Sequence, residues 1–324
     1  MRSTPEVTVT LFEMKFSHTL TDVRGIEVGH AQDEGALTGC TVILCRKGAM
    51  AGVDVRGGAP GTRETDLLNP LNLVQKVHAI VLAGGSAFGL EAATGVMRYL
   101  EEQKIGFQTG DAKVPIVPAA ILYDLSLGHA SVRPDAAMGY LAASQASSAP
   151  PVEGNVGAGT GASVGKIRGM QYAMKAGIGN WSMDLNGLVI AALVAVNAVG
   201  DVINAKTGHK IAGLRSGSTL NWMKKNQARA AVKSNTVIGV IATNAKLTKA
   251  EATKVAQMAQ DGLAQSIRPA HTMFDGDTIF ALATGEIKAD VSLVGAFAAE
   301  VMAEAIIRAA KMAKSVGGLL GLRK

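Results

Sequence analysis

The chain has 324 residues, of which 48% are hydrophobic, 18% charged and only 4% aromatic, with 38 glycines and a formal net charge of +6. That hydrophobic share excludes intrinsic disorder, which needs low hydrophobicity and high charge, and a mild basic excess without interleaved aromatic and basic residues is no footprint of nucleic-acid binding. So few aromatics require a core of closely packed Ala, Gly and Val layers.

The first thirty residues hold no basic start leading into an apolar run. Apolar stretches such as 188–199 fall short of the roughly 20 residues that span a bilayer. Cys40 and Cys45 share one short apolar segment and lack zinc-site spacing. Reduced thiols in a cytoplasmic protein, with no membrane or nucleic-acid partner, are the expectation.

In chain order, residues 39–44 (GCTVIL) predict a buried strand and 50–55 (MAGVDV) a second, before a turn-rich loop at 56–64. Residues 77–82 (VHAIVL) predict a strand, 83–86 a glycine turn and 88–103 an amphipathic helix. Such a unit can turn helix N–H groups toward an anion or a carbonyl oxygen. Residues 114–125 carry two prolines and read as an irregular or edge segment. Residues 136–149 look helical, and 154–165 form a glycine-rich run. Residues 188–199 (LVIAALVAVNAV) read as a strand covered on both faces. A polar, basic stretch at 204–235 is the linker candidate, its charges read as a solvated loop. Then come a strand at 236–242, a short strand at 280–284, and helices at 249–265 and 292–313. Interleaved strands and helices imply a layered α/β fold.

Gly157 to Ala162 satisfies GxGxxA, but a dinucleotide loop must follow a strand and open a helix. The flanking residues suit neither, so a close-packed or pocket-lining loop is expected; nucleotide binding by an uncut protein is the non-enzymatic alternative. His18, His30, His78, His129 and His209 have no paired Ser, Cys or carboxylate at useful spacing, and His271 near Asp275 suits a supporting role better than ligation. No metal and no cofactor is expected. Ser86 fails the nucleophile-elbow pattern because Phe88 replaces its second glycine.

The informative junction is Asn235–Thr236, where the polar stretch meets a buried strand. A cut there would give Thr236 a hydroxyl nucleophile and a free α-amine together. That amine titrates near about 7.7–8.0, so it can serve as general base without a histidine.

Residues 20–30 (LTDVRGIEVGH), 37–44 (LTGCTVIL), 52–66 (GVDVRGGAPGTRETD) and 79–90 (AIVLAGGSAFGL) together resemble the self-processing S58 peptidases. So do residues 154–166 (GNVGAGTGASVGK), 235–244 (NTVIGVIATN) and 275–285 (DGDTIFALATG). Members include L-aminopeptidase/D-amidase-esterases, β-peptidyl aminopeptidases and 6-aminohexanoate (nylon) oligomer hydrolases. The resemblance implies a single domain over 1–324, a four-layer α/β/β/α sandwich similar to N-terminal-nucleophile hydrolases with different connectivity. It implies self-cleavage into 1–235 and 236–324, and a homo-oligomer of processed units acting on small peptides or amides. Thr236 matches the nucleophile and Asn197 the oxyanion-stabilising amide. Asp275 and Asp277 match an acidic pair of the nylon branch, Lys166 its site lysine, and Tyr123 a pocket tyrosine. An Asn197→Ala variant is expected to stay folded and lose most activity. Ala120, Ile121 and Leu122 stand where aminopeptidase members place a carboxylate, which tilts the reading toward the nylon branch. Aminopeptidase action, or acyl transfer as in the ornithine acetyltransferases, is the alternative.

Overall fold

In the computed structural model the described residues are 16–226 and 235–324. Eight strands carry the architecture: β1 (Glu27–Asp33), β2 (Thr38–Val55), β3 (Lys76–Ala83), β4 (Ala119–Ile121), β5 (Ile178–Leu185), β6 (Leu188–Asn197), β7 (Thr236–Ala245) and β8 (Thr278–Ile287). With the two-residue strand Thr62–Arg63 they form a nine-stranded sheet in the order β5-β6-β7-β8-β2-β3-β4-(62–63), and β1 pairs with β2 beside that path. Four helices cover it: α1 (Ala92–Glu102), α2 (Ala136–Ser144), α3 (Lys249–Ser266) and α4 (Val291–Lys311).

The two strands expected at 39–44 and 50–55 are one 18-residue strand, β2. Its first part pairs with β1 and β3, and its last part with β8; between Leu44 and Ala49 the register to β3 shifts. The sheet therefore folds over along β2 into two facing leaves. Strand alternation then sorts the side chains. β6 sends Leu193 and Ala195 inward to meet Ile43, Ile80 and Leu82 of the other leaf. It sends Val194 and Val196 outward to Val255 and Leu263 of α3 and Met302 and Ile306 of α4. On the opposite face, Ala79 and Val81 of β3 pack against Val96 and Leu100 of α1 and Ala142 of α2. The result is the four-layer α/β/β/α arrangement.

Glycine makes these layers thin. A Cβ added at Gly52 of β2 would lie 2.2 Å from the Thr253 nitrogen of α3, and one at Gly139 of α2 1.9 Å from the Ala92 carbonyl oxygen of α1. The long helices start where side chains cap them. Thr248 and Glu251 form a capping box ahead of α3, and the Asp290 carboxylate accepts from the Ser292 and Leu293 N–H groups at the start of α4.

Elsewhere the expectations shift at element ends. The helix expected at 88–103 begins as a 3-10 turn, Ser86–Glu91, entered through left-handed Gly85 and Ser86, and becomes α-helical only at Ala92. The 280–284 strand is the ten-residue β8, central in the sheet. The linker candidate holds a strand, Lys210–Ala212, and a helix, Thr219–Asn226; its residues 227–234 lie outside the described residues. The buried Asp201 carboxylate organises the stretch by accepting from the Leu214 N–H, the Thr219 N–H and the Thr219 hydroxyl. Lys210 is exposed, as a solvated loop charge would be, and its ammonium also donates to the Leu214 and Gly217 carbonyls. Among the described residues no helix is long and apolar enough to cross a membrane.

Candidate active site

Thr236 is the first residue of β7, paired in register with Asn197, the last residue of β6. Parallel β8 lies on the other side of β7. The 275–277 turn that leads into β8 meets the junction directly. Asn235 bridges to Asp275 there, its N–H donating to the Phe274 carbonyl at 2.9 Å and its own carbonyl accepting from the Gly276 N–H at 3.0 Å. The Thr236 hydroxyl donates to that same Asn235 carbonyl oxygen. Thr236 and Asn235 are both buried.

The two aspartates divide their work. Asp277 Oδ1 accepts from the Val237 N–H at 2.8 Å, while its Oδ2 faces His271. Asp275 Oδ2 accepts from the N–H and the hydroxyl of Thr272. Burial pushes the Asp275 carboxyl up to about 6, and the neighbouring Asp277 pushes in the same direction; the Thr272 hydrogen bonds and Lys166 pull it down.

Lys166 reaches the site from the glycine-rich segment. It is buried, and its ammonium donates to Asn197 Oδ1 at 2.6 Å and to the Asn197 backbone carbonyl at 3.0 Å. Burial pulls it down to about 7, against the opposing influence of Asp275 and Asp124. Because an ammonium only donates, this contact fixes the orientation of the Asn197 amide. Asn197 Oδ1 also accepts from the Ser163 N–H at 3.1 Å, and its Nδ2 donates to the Tyr123 carbonyl at 2.8 Å.

Five of the sequence-predicted residues, Thr236, Asn197, Lys166, Asp275 and Asp277, thus lie around one junction. Tyr123 joins them through its backbone carbonyl, and lines a small cavity with Asp124, Ser163 and Lys166. The Gly157–Gly159 turn opens no α-helix, and its N–H groups are taken: Gly157 donates to Gln32 Oε1 and Ala158 to Thr41 Oγ1. That leaves no phosphate cradle. Among the described residues no group of three or more His, Cys, Asp or Glu side chains could hold a metal ion.

Sequence reasoning missed two buried charges behind the site. Asp124 accepts from the Gly85 N–H and the Thr38 hydroxyl, both at 2.7 Å, and burial raises its pKa. Lys175 donates to the carbonyls of Gly159, Ala162 and Ala176, and burial pulls it down to about 7. The signal was available: each is a charge set beside an apolar run, which is costly unless paired. His271 was linked to Asp275 by proximity in sequence, whereas its partner is Asp277.

The sequence matches peptidase family S58 over residues 18–323. It is 42% identical to an uncharacterised aminopeptidase of Mycobacterium leprae, covering 93% of this chain and 92% of that one. It is 33% identical to a 6-aminohexanoate-oligomer endohydrolase of Kocuria sp., covering 90% and 85%. Among solved structures, the L-aminopeptidase D-Ala-esterase/amidase of Ochrobactrum anthropi, described as a variant of the Ntn-hydrolase fold, superposes with a TM-score of 0.72 at 19% identity, covering 95% of this chain and 91% of that one. A β-aminopeptidase of Burkholderia sp. gives 0.69 at 23%, covering 94% and 91%. Sequence and fold agree: this chain is a hydrolase belonging to peptidase family S58.

Proposed function

We propose that the protein is an amide hydrolase that activates itself by cutting between Asn235 and Thr236. One observation carries this reading: the Thr236 hydroxyl lies against the carbonyl of its own preceding residue, in a buried junction lined by Asn197, Asp275 and Asp277. In the first step the hydroxyl oxygen attacks the Asn235 carbonyl carbon. The C–N bond breaks, the Thr236 nitrogen takes a proton, and an ester links the two residues. Water then cleaves the ester to an Asn235 carboxylate and the restored Thr236 hydroxyl, beside the amine already freed by the shift. Before the cut Thr236 has no amine of its own, and Asp275 and Lys166, shifted to about 6 and about 7, are the nearby groups poised to move the proton near neutral pH.

In turnover the Thr236 amine accepts the hydroxyl proton as the oxygen attacks the substrate amide. The Asn197 amide stabilises the oxyanion, the leaving amine departs with a proton, and water releases the acyl group. We propose short amide oligomers of the 6-aminohexanoate type as substrates. Ala120 and Leu122, ahead of Tyr123, are buried and apolar, and the Asp124 carboxylate after it is engaged by Gly85 and Thr38, so neither side offers a free carboxylate to hold a substrate amine. Aminopeptidase action is the second reading, favoured by the name of the 42% identical relative. The buried free thiols Cys40 and Cys45, pushed up to about 12 by burial, fit a reducing cytoplasm.

Intact-mass measurement tests the cut. The purified protein should resolve into a piece ending at Asn235 and a piece beginning at Thr236, while Thr236→Ala stays whole and inactive. A Thr236→Ala chain that still splits there ends this reading. Rates on aminoacyl amides, β-peptides and 6-aminohexanoate oligomers then rank the two substrate classes.

A further inference from the structure

Asp277 holds the N–H of Val237, the residue next to the proposed nucleophile, through Oδ1. Its other oxygen is held by a single residue. Both the backbone N–H of His271, at 3.0 Å, and its ring Nδ1, at 2.9 Å, reach Oδ2. A carboxylate only accepts, so Nδ1 carries the proton in this contact.

The fold tolerates two local costs at His271. Its φ is +56°, in the left-handed region that few non-glycine residues occupy, Asn, Asp and His more often than the rest. Its Nε2 is buried with no hydrogen-bond partner among the described residues. In this conformation both donors reach one oxygen. The His271 side chain is 18% exposed and that of Asp277 1%, so solvent screens the contact little.

We propose that His271 is a positioning residue. It clamps Oδ2 of Asp277 and thereby fixes Oδ1 on the Val237 N–H, which in turn sets Thr236 against Asn197 and the Asn235 carbonyl. His271 touches no reacting atom. The inference rests on Thr236 being the nucleophile. Misplacing a reacting group by about 1 Å can cost on the order of a hundredfold in rate, and that is the scale of effect expected.

Two substitutions test it. His271→Gly suits the left-handed backbone and deletes the ring; His271→Asn also suits that backbone and returns an N–H toward Asp277. The Gly variant should fold, as judged by circular dichroism, yet mature slowly and lose roughly ten- to a hundredfold in kcat with KM nearly unchanged. The Asn variant should recover most of both rates. A Gly variant that matures and turns over like the parent, or a folded Asn variant no better than Gly, overturns the proposal. If the Gly variant does not fold, the Asn variant decides: near-parental kcat supports the clamp, and a hundredfold loss in a folded protein overturns it. Thr236→Ala is run beside them. If it is whole and inactive while His271→Gly is fully active, only the clamp fails; if it is active, the nucleophile assignment fails first.

Discussion

Asn197 is the side chain whose removal the structure prices most fully. Truncation to Ala takes the acceptor away from the Lys166 ammonium at 2.6 Å and from the Ser163 N–H at 3.1 Å, and the donor from the Tyr123 carbonyl at 2.8 Å. Lys166 keeps the Asn197 backbone carbonyl at 3.0 Å, so one buried N–H, that of Ser163, loses its partner outright, the half-buried Tyr123 carbonyl loses a donor, and one cation loses half its coordination. At about 1–3 kcal/mol for an unsatisfied buried group, Asn197→Ala should cost at least about 1–3 kcal/mol of stability, with the Tyr123 carbonyl and the Lys166 ammonium adding to it. That is a measurable part of a typical total of about 5–15 kcal/mol. The variant expected to stay folded and lose most activity should therefore also show a lowered unfolding midpoint. Asn197→Asp separates folding from chemistry. It keeps acceptors for Lys166 and Ser163, but it turns a carboxylate oxygen toward the Tyr123 carbonyl and adds a buried charge that the Lys166 ammonium offsets. It should remain folded while turnover falls by at least about 10²–10³-fold, the usual cost of one oxyanion donor, because an anion there also repels the oxyanion. Urea unfolding of both variants and initial rates on a chromogenic amide, using fully matured protein, provide the check. An Asp variant turning over within about threefold of the parent would remove Asn197 from oxyanion stabilisation.

Other consequences are equally direct. The folded value of Lys175, about 7, lies below its ordinary 10.5, so between those pH values the unfolded chain holds more protons than the native one. Stability should accordingly rise with pH across that window, by at most about 1.4 kcal/mol per pH unit for each such lysine, with Lys166 adding a second contribution. Urea midpoints at several pH values should show the rise, and Lys175→Met should cut its slope by about half; an unchanged slope refutes the assignment. At the α1–α2 crossing, Gly139→Val has no room, since even its Cβ would sit 1.9 Å from the Ala92 carbonyl oxygen. A loss of about 1–3 kcal/mol or more should follow, and a variant melting like the parent would contradict the packing described.

Local signals carried further than pairing. The apolar run at 188–199 was legible as a doubly covered strand because every residue of β6 but Val189 is buried. Helices α3 and α4 were legible from 3–4 spacing and end within two residues of expectation. By contrast, the continuity of β2 was hidden by the charged Arg46 and Lys47 at its centre, which break the apolar pattern between the two expected strands. No periodicity reveals that β8 lies between β7 and β2, because ladder order is set by contacts remote in sequence. The candidate site divides the same way. Thr236 stood out at a polar-to-apolar boundary, and the other members came from family resemblance. The contact of Lys166 with Asn197 spans 31 residues, and that of Asp277 with Val237 spans 40. A supporting role for His271 was legible from its place near the aspartates, but its partner, Asp277, depends on how the backbone turns between them.

The position of β7 and β8 has a mechanical consequence. Both belong to the stretch after Thr236, yet β7 is hydrogen-bonded to β6 along its outer side and β8 to β2 along the other. A severed Asn235–Thr236 link therefore frees a chain end without freeing a subunit. The downstream piece stays wedged between two ladders of the upstream one, and parting them means unzipping both at once while stripping α3 and α4 from the outer core. Dilution alone should not separate the halves; only conditions that melt the whole sandwich should.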